Sequence, residues 1–293
     1  MYRKKLITSL ALPTPIEEIL FDGNLFYLKR DDLIHPDFSG NKARKFYAYL
    51  SQEFQNIEKI VSYGSNQSNA MYSLSVLAKL QGWKFEYSVD HIPAYLKENP
   101  HGNYKRALKN GMVITETIDR TNSQNILYIE EGGREHNAEY GIKILAQEIE
   151  TWKESKGIEK LDIFLPSGTG TTALYLQKNY TNRVYTTPCV GDSSYLQKQF
   201  LMLESNREYH PTILDTEKKY HFGKLYKNFY TMWQNLFFQT GIEFDLLYDP
   251  KGWIVLLENR ELFSKPILYI HQGGVIGNES MLPRYERKYK NIL

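Results

Sequence analysis

Short apolar runs alternate with longer stretches of helical period along the whole chain. That alternation predicts a parallel α/β protein, in which helices return the chain from one strand to the start of the next. Apolar runs predict strands over residues 25–29, 59–63, 84–89, 112–115, 125–129, 162–165, 183–186 and 266–270. Apolar residues recurring three and four apart predict helices over 70–81, 138–152, 172–178 and 229–240. No repeat or low-complexity segment breaks the pattern. Residues 118–124 form the softest join, and 130–133 the next.

Several predicted strands end in turns rich in Gly, Ser, Thr or Asn. In open parallel sheets ligands bind outside the carboxyl ends of strands, so these turns are the candidate chemistry. The sharpest runs from Leu165 through Pro166, Ser167, Gly168, Thr169, Gly170 and Thr171 to Thr172. Its glycines permit close backbone approach, its hydroxyls donate, and the following helix offers free N–H groups, which together make an anion cradle. No lysine follows the last glycine, so it is not a P-loop, and a monophosphate suits it better than a triphosphate. It also lacks the dinucleotide spacing G-x-G-x-x-G. A second turn, residues 63–69, brings Gly64, Ser65, Gln67, Ser68 and Asn69 to a helix start, donors suited to a carboxylate or phenolate. Ser68 or Asn69 serves equally as a plain helix N-cap. A third, from Asp245 to Gly252, holds Tyr248 and Asp249, and a fourth ends a strand in His271, Gln272, Gly273 and Gly274. His271 alone reads as a structural histidine.

Lys42 stands apart from the general run of lysines. It follows Gly40 and Asn41 and opens a predicted helix. The partial positive charge of a helix N-terminus disfavours another cation, which should push this amine towards its neutral, nucleophilic form.

Composition narrows the field. A chain of 293 residues suggests two domains. A net charge of +2 gives no bulk attraction to nucleic acid or an anionic membrane, and scattered tyrosines without a basic stripe make no RNA platform. No stretch approaches the ~20 apolar residues of a spanning helix. The single cysteine, Cys189, excludes an internal disulfide, fits a reducing compartment and is expected to be a buried, inert thiol. Arg3, Lys4 and Lys5 precede an apolar run that contains Thr8 and Ser9 and stops at Pro13, which reads against a secretion signal and for a cytoplasmic protein. There is no zinc-type Cys/His spacing and no G-x-S-x-G elbow.

A helix-start lysine, a monophosphate cradle and a carboxylate-grade donor turn are the parts needed to hold pyridoxal 5′-phosphate and a small amino-acid substrate. In the order and spacing of its motifs the chain resembles the pyridoxal-phosphate enzymes of the 1-aminocyclopropane-1-carboxylate deaminase / D-cysteine desulfhydrase family, within the tryptophan-synthase-β fold group. The likeness runs nearly end to end: residues 12–17, 29–32, 40–45, 64–69, 131–133, 167–172, 245–248 and 271–274. It implies two doubly wound α/β domains of unequal size, fold-type II. The larger would comprise residues 1–44 with 131–293 and the smaller 45–130, with the cofactor in the cleft between them. It implies a homodimer.

By this resemblance Lys42 would carry the cofactor as a Schiff base and shuttle the Cα proton. Asn69 would meet the ring 3′-oxygen, and Gly168, Thr169, Gly170, Thr171 and Thr172 would hold the phosphate. Asp249 would face the pyridine nitrogen. Gln67, Ser68, Asn69, Phe222 and Tyr248 would contact the substrate, with Ser68 and Tyr248 also assisting catalysis. The expected activity is a lyase or deaminase that turns a small amino acid into a 2-oxo acid and ammonia. The chain departs from the family pattern at Ala70 (usually Gln or His), Phe222 (usually a second tyrosine), Asp249 (usually Glu) and Gln272 (often Thr), and is trimmed around 118–125. Other readings stay open: serine or threonine dehydration or racemisation on the same fold, a cofactor-binding protein without turnover, and a phosphosugar-binding α/β protein with no need of Lys42.

Overall fold

The computed structural model describes residues 10–38, 40–117, 123–264 and 266–289. The basic residues 3–5, most of the apolar run after them, Ser39 and most of the polar join 118–124 lie outside the described residues. The elements run in the order β1 (Ile16–Phe21), β2 (Asn24–Arg30), α1 (Gly40–Lys45), α2 (Tyr47–Ser51), β3 (Lys59–Tyr63), α3 (Asn69–Gln81), β4 (Lys84–Ser88), α4 (Ala94–Glu98), α5 (Gly102–Lys109), β5 (Met112–Thr115) and β6 (Ile126–Ile129). They continue with α6 (Ala138–Ser155), β7 (Asp162–Ser167), α7 (Thr171–Asn179), β8 (Val184–Pro188), α8 (Ser193–Leu201), β9 (Thr212–Ile213), α9 (Lys227–Thr240), α10 (Asp249–Glu258), β10 (Ile267–His271) and α11 (Asn278–Tyr289).

The strands form a six-stranded sheet, β1-β2-β10-β7-β8-β9, and a four-stranded sheet, β5-β4-β3-β6. Every pairing is parallel except β1 with β2, which is an antiparallel hairpin turned at Asp22 and Gly23. The all-parallel expectation thus needs one correction: an antiparallel strand closes one edge of the larger sheet. Its polar Glu17 and Glu18 broke the apolar run, as an edge strand permits.

The larger sheet is apolar on both faces, as a doubly wound sheet must be. Along β7, Ile163 and Leu165 join Leu268 and Ile270 of β10 in a core shared with α6 and α7. Phe164 points the other way and joins Ile267, Tyr269 and Trp253 in a core under α9 and α10. A third core, built on Ile60, Phe85, Leu74 and Leu77, belongs to the smaller sheet and also takes in Ala43 of α1, Tyr49 and Leu50 of α2 and Phe46 of the link between them.

Strand order locates the ligand crevices. In the smaller sheet the chain steps from β3 to β4 to β5, then returns to the far side of β3 as β6. In the larger it steps from β7 to β8 to β9, then returns beside β7 as β10. A crevice opens outside the carboxyl ends of strands wherever the order reverses in this way. The turns leaving β3, β6, β7 and β10 are those at residues 64–68, 130–133, 168–170 and 272–274, so three of the four chemically loaded turns stand at the two switch points.

Candidate active site

A single cavity of about 550 Å³ collects residues from both sheets: Asn41, Lys42 and Lys45, the 65–70 turn, Glu131, the 166–172 turn, Phe222, Asp245, Tyr248, Asp249 and Gln272. The volume lies within the usual range for a small-molecule site. Each of the site residues expected from sequence lines it apart from Thr171, which is fully buried behind Thr169, their hydroxyls 3.1 Å apart.

Lys42 sits on α1, whose start is pressed against the end of β10. Gly40 has φ +63°, and a Cβ there would lie 1.7 Å from the Gln272 carbonyl oxygen, so only glycine fits. Asn41 N–H donates to that carbonyl at 3.1 Å, its side-chain amide donates to Gln272 Oε1 at 3.0 Å, and Gln272 Nε2 donates to the Pro166 carbonyl at 2.6 Å. Gln272 thus stitches α1 to the end of β7. From below, Arg44 donates to both Asp31 oxygens and to Glu148, at 2.8–2.9 Å. Lys29 donates to Glu148 at 2.7 Å, closing a buried ion network between β2, α1 and α6.

Among the described residues the amine of Lys42 donates only to the neighbouring Asn41 Oδ1, at 3.1 Å. Burial lowers its pKa to about 8, against a partial opposing pull from Asp245. The cause expected from sequence is therefore corrected: α1 has six residues and little macrodipole, and it is desolvation that moves the amine towards its neutral form.

The cradle is formed as the sequence suggests, with one addition. Gly170 caps α7 in the left-handed region at φ +73°, and Phe200 and Leu196 leave no room for a Cβ there. Thr172 Oγ1 is buried with no hydrogen-bond partner. Lys45 donates to the Gly132 carbonyl at 2.9 Å and to Thr169 Oγ1 at 3.4 Å. So the cradle does have a lysine, delivered from α1 one turn beyond Lys42 rather than from its own helix. Burial, then the nearby Lys42, hold Lys45 well below the ordinary lysine range, and a bound dianion would restore its charge.

The donor turn divides its labour. Ser68 Oγ accepts from the Ala70 and Met71 N–H groups, so it is the N-cap of α3, and its own proton lies beside the buried Tyr87 hydroxyl. Gln67 is committed elsewhere: its amide donates to the His101 carbonyl and accepts from Tyr104 N–H, tying the turn to α5. Asn69 Oδ1 accepts from Asn103 at 2.7 Å, which leaves its NH₂ group for a ligand. Ala70 is fully buried in α3 and presents no side-chain polar group.

On the facing wall Tyr248 stands against Gly168, where a Cβ would lie 3.4 Å from its hydroxyl. Burial and the carboxylate of Asp245 raise its pKa, so the phenol keeps its proton. Phe222 packs on Tyr248 with ring centroids 5.2 Å apart and is partly open to solvent. Asp249 begins α10, where sequence had read only a turn, with Pro250 in the first helical turn. Its Oδ1 accepts from Tyr269 at 2.6 Å and its Oδ2 from Asp245 N–H at 3.0 Å. A carboxylate has further lone pairs, so a ligand can still be met. Burial and the neighbouring Asp245 push the Asp249 pKa well up.

Lys45, Asp245 and Arg284 are among the cavity residues that sequence reasoning missed. Lys45 and Asp245 each stood inside a quoted motif, but their side-chain directions were not legible; Arg284 belongs to a helix that was not predicted. Asp245 Oδ1 accepts from the N–H groups of Leu247, Tyr248 and Asp249, while burial raises its pKa to about 6. His271 is structural: its Nε2 meets the Glu243 carbonyl at 2.8 Å and its Nδ1 accepts from Gly273 N–H. Cys189 is buried, its thiol against the Tyr248 carbonyl and its pKa pushed up by desolvation, as an inert thiol should be. Among the described residues no helix is long and apolar enough to cross a membrane, and no cluster of His, Cys, Asp and Glu could hold a metal.

No family model matches the sequence, and no curated protein does. Solved structures do match over nearly the whole chain. An ACC deaminase homologue superposes with a TM-score of 0.77 at 19% identity, covering 98% of each chain. A hydrogen sulfide-producing enzyme from Fusobacterium nucleatum gives 0.65 at 13% identity, covering 93% of this chain and 98% of its own. A pyridoxal 5′-phosphate-dependent aspartate racemase gives 0.61 at 14% identity, covering 93% and 94%. At these identities the likeness is one of fold: the two-sheet α/β architecture described above is shared with them.

Proposed function

We propose that the chain binds pyridoxal 5′-phosphate on Lys42 and acts on a small amino acid of the D-cysteine or 1-aminocyclopropane-1-carboxylate type, releasing a 2-oxo acid and ammonia. One observation carries the reading. An amine whose pKa is lowered by burial, bonded among the described residues only to the amide beside it, shares a cavity with a buried threonine hydroxyl that has no partner among those residues and with a lysine reaching into a strand–helix cradle. The fold likeness to an ACC deaminase homologue, a sulfide-producing enzyme and a cofactor-dependent racemase supports the same reading.

When bound, the cofactor supplies an electron sink for a carbanion at the substrate Cα. The chain's residues do the rest. Thr172, the first N–H groups of α7 and Lys45 hold the phosphate, and Asn69 offers its NH₂ to the ring 3′-oxygen. Asp249 serves the pyridine nitrogen. Ser68 turns its hydroxyl proton to the substrate carboxylate. Lys42, with its pKa lowered to about 8 by burial, reaches the neutral form that takes the Cα proton at a far lower pH than an ordinary lysine. With D-cysteine the C–S bond breaks as that proton moves, sulfide leaves, and water completes the product as pyruvate and ammonia. Tyr248 keeps a proton available on the opposite wall, where opening a cyclopropane ring needs one. Phe222, lacking a hydroxyl, shapes the site without entering proton transfer.

The experiment is direct. Purified protein is given pyridoxal 5′-phosphate, its visible absorption recorded, and 2-oxo acid release measured from D-cysteine, L-serine and 1-aminocyclopropane-1-carboxylate. A visible band lost in Lys42→Ala, with turnover of D-cysteine or the cyclopropane substrate, is expected. A colourless protein unaltered by that substitution overturns the reading, and turnover of L-serine alone moves it to dehydration.

A further inference from the structure

The outer wall of the cavity holds an arginine with no anion to hold. Ser280, Met281 and Arg284 lie three and four residues apart on α11, on one face, and all three line the cavity. Arg284 donates to Met281 Sδ at 3.1 Å and to the Gly223 carbonyl at 3.3 Å, which fixes its guanidinium beside the loop bearing Phe222. It has no carboxylate partner among the described residues. Its neighbours three and four residues away on α11 include no acid, and Glu279 on the same helix is taken by Arg106 of α5.

The position relative to the donor turn is set by Ser280. Gly102 lies between them: a Cβ there would meet Gln67 Oε1 at 2.9 Å and Ser280 Cβ at 3.6 Å. Arg284 is four residues further along α11, about 6 Å of helix rise. An amino acid with its α-carboxylate at Ser68 shares the cavity with Phe222, Met281 and the guanidinium. A short neutral side chain leaves that charge unmet.

We propose that Arg284 is a specificity-determining residue that binds a second acidic group, so that among amino acids longer than the small ones named above the cavity prefers one with a distal carboxylate to its neutral amide. This deepens the reading of the cavity as an amino-acid site and rests on it. A planar guanidinium held by its edge matches a carboxylate in a bidentate fashion that lysine does not reproduce.

The test titrates glutamate and glutamine, each as D and L forms, into the wild-type protein, Arg284→Gln and Arg284→Lys, with and without added pyridoxal 5′-phosphate. Binding is read by calorimetry and the cofactor by its visible band. Glutamate is expected to bind about 10- to 100-fold tighter than glutamine. Arg284→Gln should erase that preference while leaving glutamine affinity within about twofold, and Arg284→Lys should recover part of it. Raised salt should shrink the preference, because Arg284 is solvent-exposed. Equal affinity for glutamate and glutamine in the wild type, or an undiminished preference in Arg284→Gln, overturns the proposal. The two readings fail separately. A preference lost in Arg284→Gln without a visible band leaves the anion site standing and removes the cofactor. A visible band that responds alike to glutamate and glutamine does the reverse.

Discussion

At the scale of single residues the site is defined by groups the folded chain leaves unsatisfied. Thr172 Oγ1 is buried with no partner, a cost the protein bears only where something else completes it. Thr172→Val keeps the shape and deletes that hydroxyl. The cofactor-free protein should be as stable or up to ~1 kcal/mol more stable by thermal unfolding, while phosphate or cofactor affinity falls about tenfold. Loss of stability with unchanged affinity would make Thr172 a structural residue. Lys42 yields a second expectation with a definite sign. Its pKa is about 8 in the native protein against an ordinary 10.5, so between these values the unfolded chain binds a proton that the native chain has released. Stability contributed by this residue therefore rises with pH across that window. Denaturant titrations near both ends should show a steeper rise in the parent than in Lys42→Met. Cofactor capture should likewise accelerate as pH climbs through about 8, because only the neutral amine attacks.

At the scale of elements, the amine is placed by what lies behind and before α1. Behind it, Arg44 joins Asp31 and Glu148 in a network that is almost fully buried. Arg44→Met would leave Asp31 without a cation in direct contact and should cost about 3–5 kcal/mol, measured by chemical denaturation. Before it, the close approach at Gly40 leaves no room for a side chain, so Gly40→Ala should displace α1 and reduce cofactor capture even if the protein folds. The sequence made much of this legible. The turns after β3, β7 and β10 were found from their composition, because glycine and hydroxyl residues gather where backbone must approach a ligand. Strands β3, β7 and β10 were legible because both their faces are apolar. Strand β1 was not, because an edge strand tolerates the charges that hide its period. Helix α11 was not, because Pro283 and a polar face mask its repeat, and Arg284 was lost with it. Side-chain directions were the remaining gap: Lys45 and Gln272 were read as motif members, and only packing shows that one reaches the cradle and the other ties α1 to β7.

At the scale of the whole molecule, two sheets each reverse their strand order once, and one cavity draws on the loops at both reversals. That arrangement puts the amine, the cradle and the carboxylate turn within one enclosure, though they lie far apart in sequence. It also brings two lysines with lowered pKa values together, and this makes the central claim testable at atomic precision. Lys45 is bonded to Gly132 and Thr169, while Lys42 holds only its neighbour Asn41. The decisive measurement is borohydride reduction of the protein with pyridoxal 5′-phosphate, followed by digestion and mass spectrometry of the peptides that separate the two lysines. The account predicts one pyridoxyl group per chain, on Lys42. A label on Lys45, or none on either lysine, would contradict it.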